Sequence, residues 1–136
     1  MTIPELLRTS KTIAVVGISD DPERPSFQVA SQLMRRGYTI VPINPRLREW
    51  RGIQAYPYVS SIPEEIEVDI VDIFRRSEAT PDTVRDVLKR PRKPRGIWLQ
   101  QSIINTEARQ LAEDASIFFV EDHCTAVEAA LARARV

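Results

Sequence analysis

The segment Gly17-Ile18-Ser19-Asp20-Asp21-Pro22-Glu23-Arg24-Pro25-Ser26 gathers a glycine, two hydroxyls and a guanidinium within ten residues. That set suits phosphate. A glycine lets backbone approach a ligand closely. Ser26 has the form of a helix N-cap, whose hydroxyl and following amides make an anion site, and Arg24 adds a two-pronged donor. A dinucleotide fingerprint would need glycine at positions 17, 19 and 22, and only Gly17 is present, with Ser19 and Pro22 in the other two places. The same residues also suit a capped, solvent-exposed loop, and spacing alone leaves the two readings even.

Four other stretches carry chemistry. Asn44-Pro45-Arg46 stands where NAD-binding domains place an acidic residue to hold the ribose hydroxyls. A cation there suits a ribose phosphate better than a free hydroxyl; a rigid turn with Arg46 in water is the plainer alternative. Phe74-Arg75-Arg76 offers two guanidiniums to an acidic ligand and a ring to a flat one, or simply solvated charge. Trp98 and Gln100 share a strand face; Trp98 reads as core and Gln100, at the strand tip, as the contact candidate. Asp122-His123-Cys124 invites a catalytic reading, but neighbours in a strand or helix point apart, so His123 and Cys124 form no dyad by adjacency. A lone cysteine at a strand-to-helix junction is usually a small packed residue. The basic run 89–95 is broken by Pro91 and Pro94 and reads as a solvated linker.

These residues need elements to hold them. The 136 residues, 43% hydrophobic and 28% charged, suit one folded domain over 1–136 and leave no room for a separate catalytic domain. A net charge of zero argues against nucleic acid as partner. One cysteine and one histidine exclude a disulfide framework and a Cys-rich zinc site, and leave little for a Ser/His triad. No apolar run approaches the roughly 20 residues of a membrane helix, and no signal peptide is evident, so no membrane contact and a cytoplasmic setting are expected.

Apolar runs at 12–17, 39–44, 68–74, 96–100 and 116–120 read as strands. Helical patterns follow them: behind Ser26 to a stop at Gly37, from Pro81 to Arg90 with Thr80 as cap, after Asn105, and from Thr125 with Glu128 completing a capping box. A short opening helix covers 4–9. Strand alternating with helix predicts an α/β, Rossmann-like, doubly wound parallel five-stranded sheet, with expected strand order 3-2-1-4-5. Ligands of such sheets bind beyond the carboxyl ends of the strands. All the candidate loops lie there.

The blocks Ile13-Ala14-Val15-Val16-Gly17-Ile18-Ser19, Pro22-Glu23-Arg24-Pro25-Ser26, Val41-Pro42-Ile43-Asn44-Pro45-Arg46, Val71-Asp72-Ile73-Phe74-Arg75-Arg76-Ser77-Glu78, Trp98-Leu99-Gln100 and Asp122-His123-Cys124 resemble the small stand-alone CoA-binding-domain proteins of bacteria. That family is similar to the CoA-binding domain of the succinyl-CoA synthetase α subunit, without its catalytic partner. The resemblance implies a Rossmann-like fold that binds coenzyme A. By motif, Gly17, Ile18, Ser19, Arg24 and Ser26 would cradle phosphates, and Asn44, Pro45 and Arg46 would lie beside the ADP portion. Phe74, Arg75 and Arg76 would border adenine or the pantetheine arm. The family commonly has Asp-Arg-Cys where this chain has Asp122-His123-Cys124, so no role is carried over to position 123.

The expected function is therefore binding of CoA or an acyl-CoA, with no metal, no catalytic residue and no reaction of its own, for presentation to an unidentified protein partner. Two other readings stand beside it. An NAD(P)-linked oxidoreductase would have to do without the fingerprint glycines and the acidic residue after strand two. A thiol carrier would work through Cys124.

Overall fold

The computed structural model describes residues 1–136. Each apolar run becomes a strand that is buried almost throughout, with only its first residue exposed or half-buried in β1, β2 and β7, as parallel strands between helices require. In chain order the elements are α1 (Ile3–Thr9), β1 (Thr12–Val16), α2 (Pro25–Arg35), β2 (Thr39–Ile43), β3 (Glu49–Trp50), β4 (Ile53–Gln54), β5 (Ile70–Ile73), α3 (Thr80–Val87), β6 (Gly96–Leu99), α4 (Thr106–Asp114), β7 (Phe118–Val120) and α5 (Thr125–Leu131). The fold is α/β and Rossmann-like, with a five-stranded parallel sheet flanked by helices.

Side chains alternate across the sheet. Ile13, Val15, Ile70 and Trp98 pack under α1, α2 and α5 with Leu6, Leu33 and Ala129. Ala14, Val16, Val71, Ile73, Ile97 and Leu99 pack under α3 and α4 with Val84, Val87, Ala108 and Ala112.

The strand order is β2-β1-β5-β6-β7. Counted over the main sheet alone this is 2-1-3-4-5, not the expected 3-2-1-4-5. The third sheet strand lies beside the first instead of outside the second. Pro42 supplies the reason. Its carbonyl accepts from Tyr56 N–H at 3.0 Å on the side away from β1, so its missing N–H also faces outward. A strand with that gap cannot donate a full ladder to a second neighbour and must lie at an edge. Tyr56 covers that edge through one parallel bridge to Ile43. Asp69 fixes the alternative pairing: its carboxylate accepts from the amides of Lys11 and Thr12 at 2.8 and 3.0 Å, locking the start of β5 against β1.

Three helix starts differ from expectation. Arg24, not Ser26, is the N-cap residue of α2, with Pro25 in the first turn. Helix α3 begins at Thr80, and Thr80 Oγ1 donates back to the Ser77 carbonyl instead of capping. In α5 the N-cap is Cys124, because the Thr125 hydroxyl is engaged with Asp72 and unavailable for a capping box. Asn105 caps α4 as expected, accepting from Ala108 N–H at 2.8 Å. The β3–β4 hairpin, in the connection between β2 and β5, turns at Arg51 and Gly52 with φ of 50° and 79°. Positive φ at both central residues is the geometry of a tight two-residue hairpin turn.

Candidate functional site

Helices α2 and α3 leave β1 and β5 toward opposite faces, so the sheet's winding reverses between those two strands. The carboxyl ends of β1 and β5 meet at Gly17 and Phe74. Phe74 N–H donates to Val16 C=O at 2.8 Å, and Gly17 adopts φ +81°. A Cβ on Gly17 would lie 2.2 Å from the Phe74 carbonyl oxygen. Only glycine allows this approach.

Two clefts open on either side of that contact. One, of about 610 Å3, runs over β2 and is lined by Asn44, Pro45, Arg46, Tyr58, Asp86 and Lys89 among others. The second, of about 700 Å3, lies at the start of α2 and is lined by Ser19, Arg24, Ser26, Arg76, Ser77 and Ser102 among others. Gly17, Phe74 and Arg75 border both. The two form one groove across the switch in winding, the place where open α/β sheets receive ligands.

The loops that make the groove are held from below. Ser26, 5% exposed, accepts from Ser19 N–H through its hydroxyl oxygen at 3.0 Å. Trp50, buried, donates its indole N–H to Ser19 C=O at 2.8 Å and packs edge-on against Phe27. Asn44 Nδ2 donates to Ile18 C=O at 2.7 Å while its Oδ1 accepts from Arg46 N–H at 2.8 Å. The first intrahelical bond of α2 runs from Gln28 N–H to Arg24 C=O. The amides of Ser26 and Phe27 ahead of it lie in the first turn, where donors have no helical acceptor.

Cations outnumber acids at the groove. Arg24, Arg46 and Arg75 are exposed and none pairs with a carboxylate, whereas Arg76 pairs with Glu78 at 3.5 Å. Of the acids lining the first cleft, Asp82 pairs with Arg85 and Asp86 accepts from the amides of Val59 and Ser60.

The structure thus brings together Gly17, Ser19, Arg24, Ser26, Asn44, Pro45, Arg46, Phe74, Arg75 and Arg76. It does not bring the side chains of Ile18 or Gln100 to the groove. Ile18 is buried in the core under α2. Gln100, 5% exposed, turns inward: its Nε2 donates to Asp72 Oδ1 at 2.6 Å and to Thr125 Oγ1 at 2.7 Å. Thr125 Oγ1 in turn donates to Asp72 Oδ2 at 2.7 Å. Full burial pushes the Asp72 carboxyl up to about 7, against the opposing pull of its bonds from Gln100 and Thr125. Asp72 lies in the middle of β5, level with Val15 and Trp98, and its demand for partners claims Gln100. Strand alternation gives the face of Gln100 but not that demand.

Trp98 is core, as expected, and its indole donates to His123 C=O at 2.8 Å. His123 is exposed with Nδ1 against Glu121 C=O at 2.7 Å, and Cys124 packs partly against the core. No group of three or more His, Cys, Asp or Glu side chains is arranged to hold a metal. No helix is long and apolar enough to cross a membrane. Groove residues outside the twelve candidates include Tyr58, Ser102, Ser77 and Lys89, the last from the basic run that reads as a solvated linker. Tyr58 lies in the connection 55–66, which has no period to read.

The fold is that of a Rossmann-like α/β domain, and residues 11–130 match the family model described as "CoA binding domain". The chain belongs to this CoA-binding domain family. It is similar to the uncharacterized protein YneT of Bacillus subtilis, at 38% identity over 96% of this chain and 94% of that protein. It is similar over 47% of its length to the α subunit of the ADP-forming acetate–CoA ligase II of Pyrococcus furiosus, at 37% identity, a match that spans 14% of the ligase subunit. A solved structure of a Thermus thermophilus protein superposes with a TM-score of 0.88 at 34% identity, covering 97% of this chain and 99% of that one.

Proposed function

We propose that the groove binds coenzyme A or an acyl-CoA, and that residues 1–136 act as a single binding module without a reaction of its own, working in the cytoplasm and presenting its ligand to a partner protein. The observation that carries this reading is the convergence of three unpaired arginines, Arg24, Arg46 and Arg75, on a groove whose centre is closed to any side chain at Gly17. CoA carries a pyrophosphate and a ribose phosphate on one nucleotide. Gly17, Ser19, Ser26 and the first-turn amides of α2, with Arg24, suit the pyrophosphate. Asn44 holds the turn that presents Pro45 and Arg46, and Arg46 suits the ribose phosphate. Phe74, Arg75 and Arg76 border the path between the two clefts. Ile18 enters only through the carbonyl that Asn44 grips, and Gln100 is assigned no contact.

The domain family and the likeness to part of a CoA ligase support the same ligand. The test is thermal shift and calorimetry with CoA, acetyl-CoA, NAD, NADP and ATP. CoA and acetyl-CoA are expected to raise the melting temperature by mass action, a stabilisation of about 2.7 kcal/mol at a hundredfold excess over Kd. No shift at millimolar CoA, or a larger one with NAD, would overturn the reading.

A further inference from the structure

Tyr58 is the one large aromatic ring at the groove whose exposure the fold does not explain. It is 57% exposed and lines the cleft over β2, together with Pro45, Pro57 and Phe74. A tyrosine free to move would lose much of its contact energy to ordering on binding. This one is carried on backbone that is fixed along its length. Ser61 Oγ accepts from Tyr58 N–H at 3.1 Å and donates to Tyr58 C=O at 2.7 Å. Asp86 takes the amides of Val59 and Ser60 at 2.9 and 3.3 Å and also bonds the Ser60 hydroxyl. In the bend that follows α3, Arg90, 4% exposed, donates to the carbonyls of Ile62 and Ile66 at 2.9 and 2.8 Å.

Asp86 and Arg90 therefore clasp the 59–66 segment from both ends, one taking amides and the other carbonyls. The clasp is kept although it leaves Arg90 Nε buried without a hydrogen-bond partner, which costs stability. Rigid backbone beneath an exposed ring is the arrangement of a preorganised contact, which binds with little ordering cost. The second cleft has no comparable ring: its walls are hydroxyls and arginines around Phe74.

We infer that Tyr58 is the residue that recognises the purine ring of the nucleotide, with Asp86 and Arg90 as its positioning residues. The inference rests on the proposed CoA reading and deepens it. It fixes the direction of the ligand, with the adenosine half over β2 beside Arg46 and the pantetheine arm toward the start of α2. Stacking on an aromatic side chain discriminates against ligands that lack a flat base.

Calorimetry on the full chain tests it with three probes: CoA, adenosine 3′,5′-bisphosphate and 4′-phosphopantetheine. Tyr58→Ala is expected to weaken CoA and the bisphosphate alike, roughly five- to a hundredfold, and to leave phosphopantetheine unchanged. Tyr58→Phe should stay within about twofold of the parent, since stacking uses the ring face and not the hydroxyl. Asp86→Ala should weaken the bisphosphate in the parent and add nothing in the Tyr58→Ala background, a coupling that a purely structural role would not produce. Unchanged CoA affinity in Tyr58→Ala, or an equal loss for phosphopantetheine, would overturn the inference while leaving CoA binding intact. A parent chain that binds none of the three would overturn the CoA reading itself and the inference with it.

Discussion

The carboxyl edge of the sheet has two halves, and they treat polar groups in opposite ways. Over β6 and β7 the polar groups are largely consumed internally. The Gln100 amide and the Thr125 hydroxyl are spent on Asp72 of the neighbouring β5, Ser102 N–H is taken by Asp122 at 2.6 Å, Asn105 N–H by Glu121 at 3.0 Å, and Arg109 by Glu121 at 2.8 Å. Over β1, β2 and β5 the backbone is pinned just as firmly, by Trp50, Asn44 and Ser26, but the cations Arg24, Arg46 and Arg75 are left without carboxylates. A half whose charges have partners holds the fold together. A half whose loops are rigid and whose cations are free suits the outside anion that the proposed CoA reading calls for.

The largest effect that separates the halves is expected at Gly17. Gly17→Ala places a methyl 2.2 Å from a backbone oxygen at a φ that L residues rarely adopt, so the β1 and β5 ends must part. CoA binding should vanish and stability should fall by more than about 4 kcal/mol, read by calorimetry and urea unfolding.

The next effect concerns pH and the β5 carboxyl that Gln100 and Thr125 of the closed half serve. The Asp72 carboxyl titrates near 7 in the folded state against an ordinary 3.8. Between those values the folded protein holds a proton that the unfolded chain has lost, so stability falls as pH rises from about 4 to 7 and levels off above. The total is up to about 4 kcal/mol at 1.36 per pH unit. Asp72→Asn, with the Gln100 amide turned to match, should flatten urea midpoints across that range and leave CoA affinity unchanged.

Arginine substitutions sharpen the contrast at smaller size. Arg75→Ala, Arg46→Ala and Arg24→Ala should each weaken CoA by about 1–2 kcal/mol, with a reduced salt dependence, and leave the melting temperature within experimental scatter. Arg109→Ala should do the reverse, lowering stability by about 1 kcal/mol through the lost Glu121 contact while CoA affinity holds. The finest contrast is between the two tryptophans. Trp50→Phe and Trp98→Phe each remove one indole hydrogen bond to a loop carbonyl, worth about 1 kcal/mol of stability, and add a packing loss because both rings are buried. Only Trp50→Phe should also lower CoA affinity, because Ser19 is the carbonyl it releases.

Much of this architecture is readable in the sequence, for physical reasons that differ by element. The five strands show because parallel strands covered on both faces are largely apolar, as in Ile13–Val16 and Gly96–Leu99, with Asp72 in β5 the polar exception. Ten of the twelve candidate residues reach the groove because strand ends and their loops are fixed once the strands are known. Strand order is harder. It is carried by one residue, Pro42, whose missing donor demotes β2 to an edge, and by Asp69, whose bonds to Lys11 and Thr12 cross more than fifty residues. Helix caps shift where a hydroxyl finds a better partner than its own helix, as Thr125 does in Asp72. Gln100 is drawn inward by the same carboxylate, and Tyr58 comes to the groove through a clasp between segments far apart in sequence.

The most direct test of the two-halves account is an amide NMR titration of the full chain with CoA. Perturbations should concentrate in the loops after β1, β2 and β5, at Gly17, Ser19, Ser26, Asn44, Arg46, Phe74 and Arg75. Shifts confined to the closed half around Gln100 and 121–125, or no shifts at saturating CoA, would contradict it.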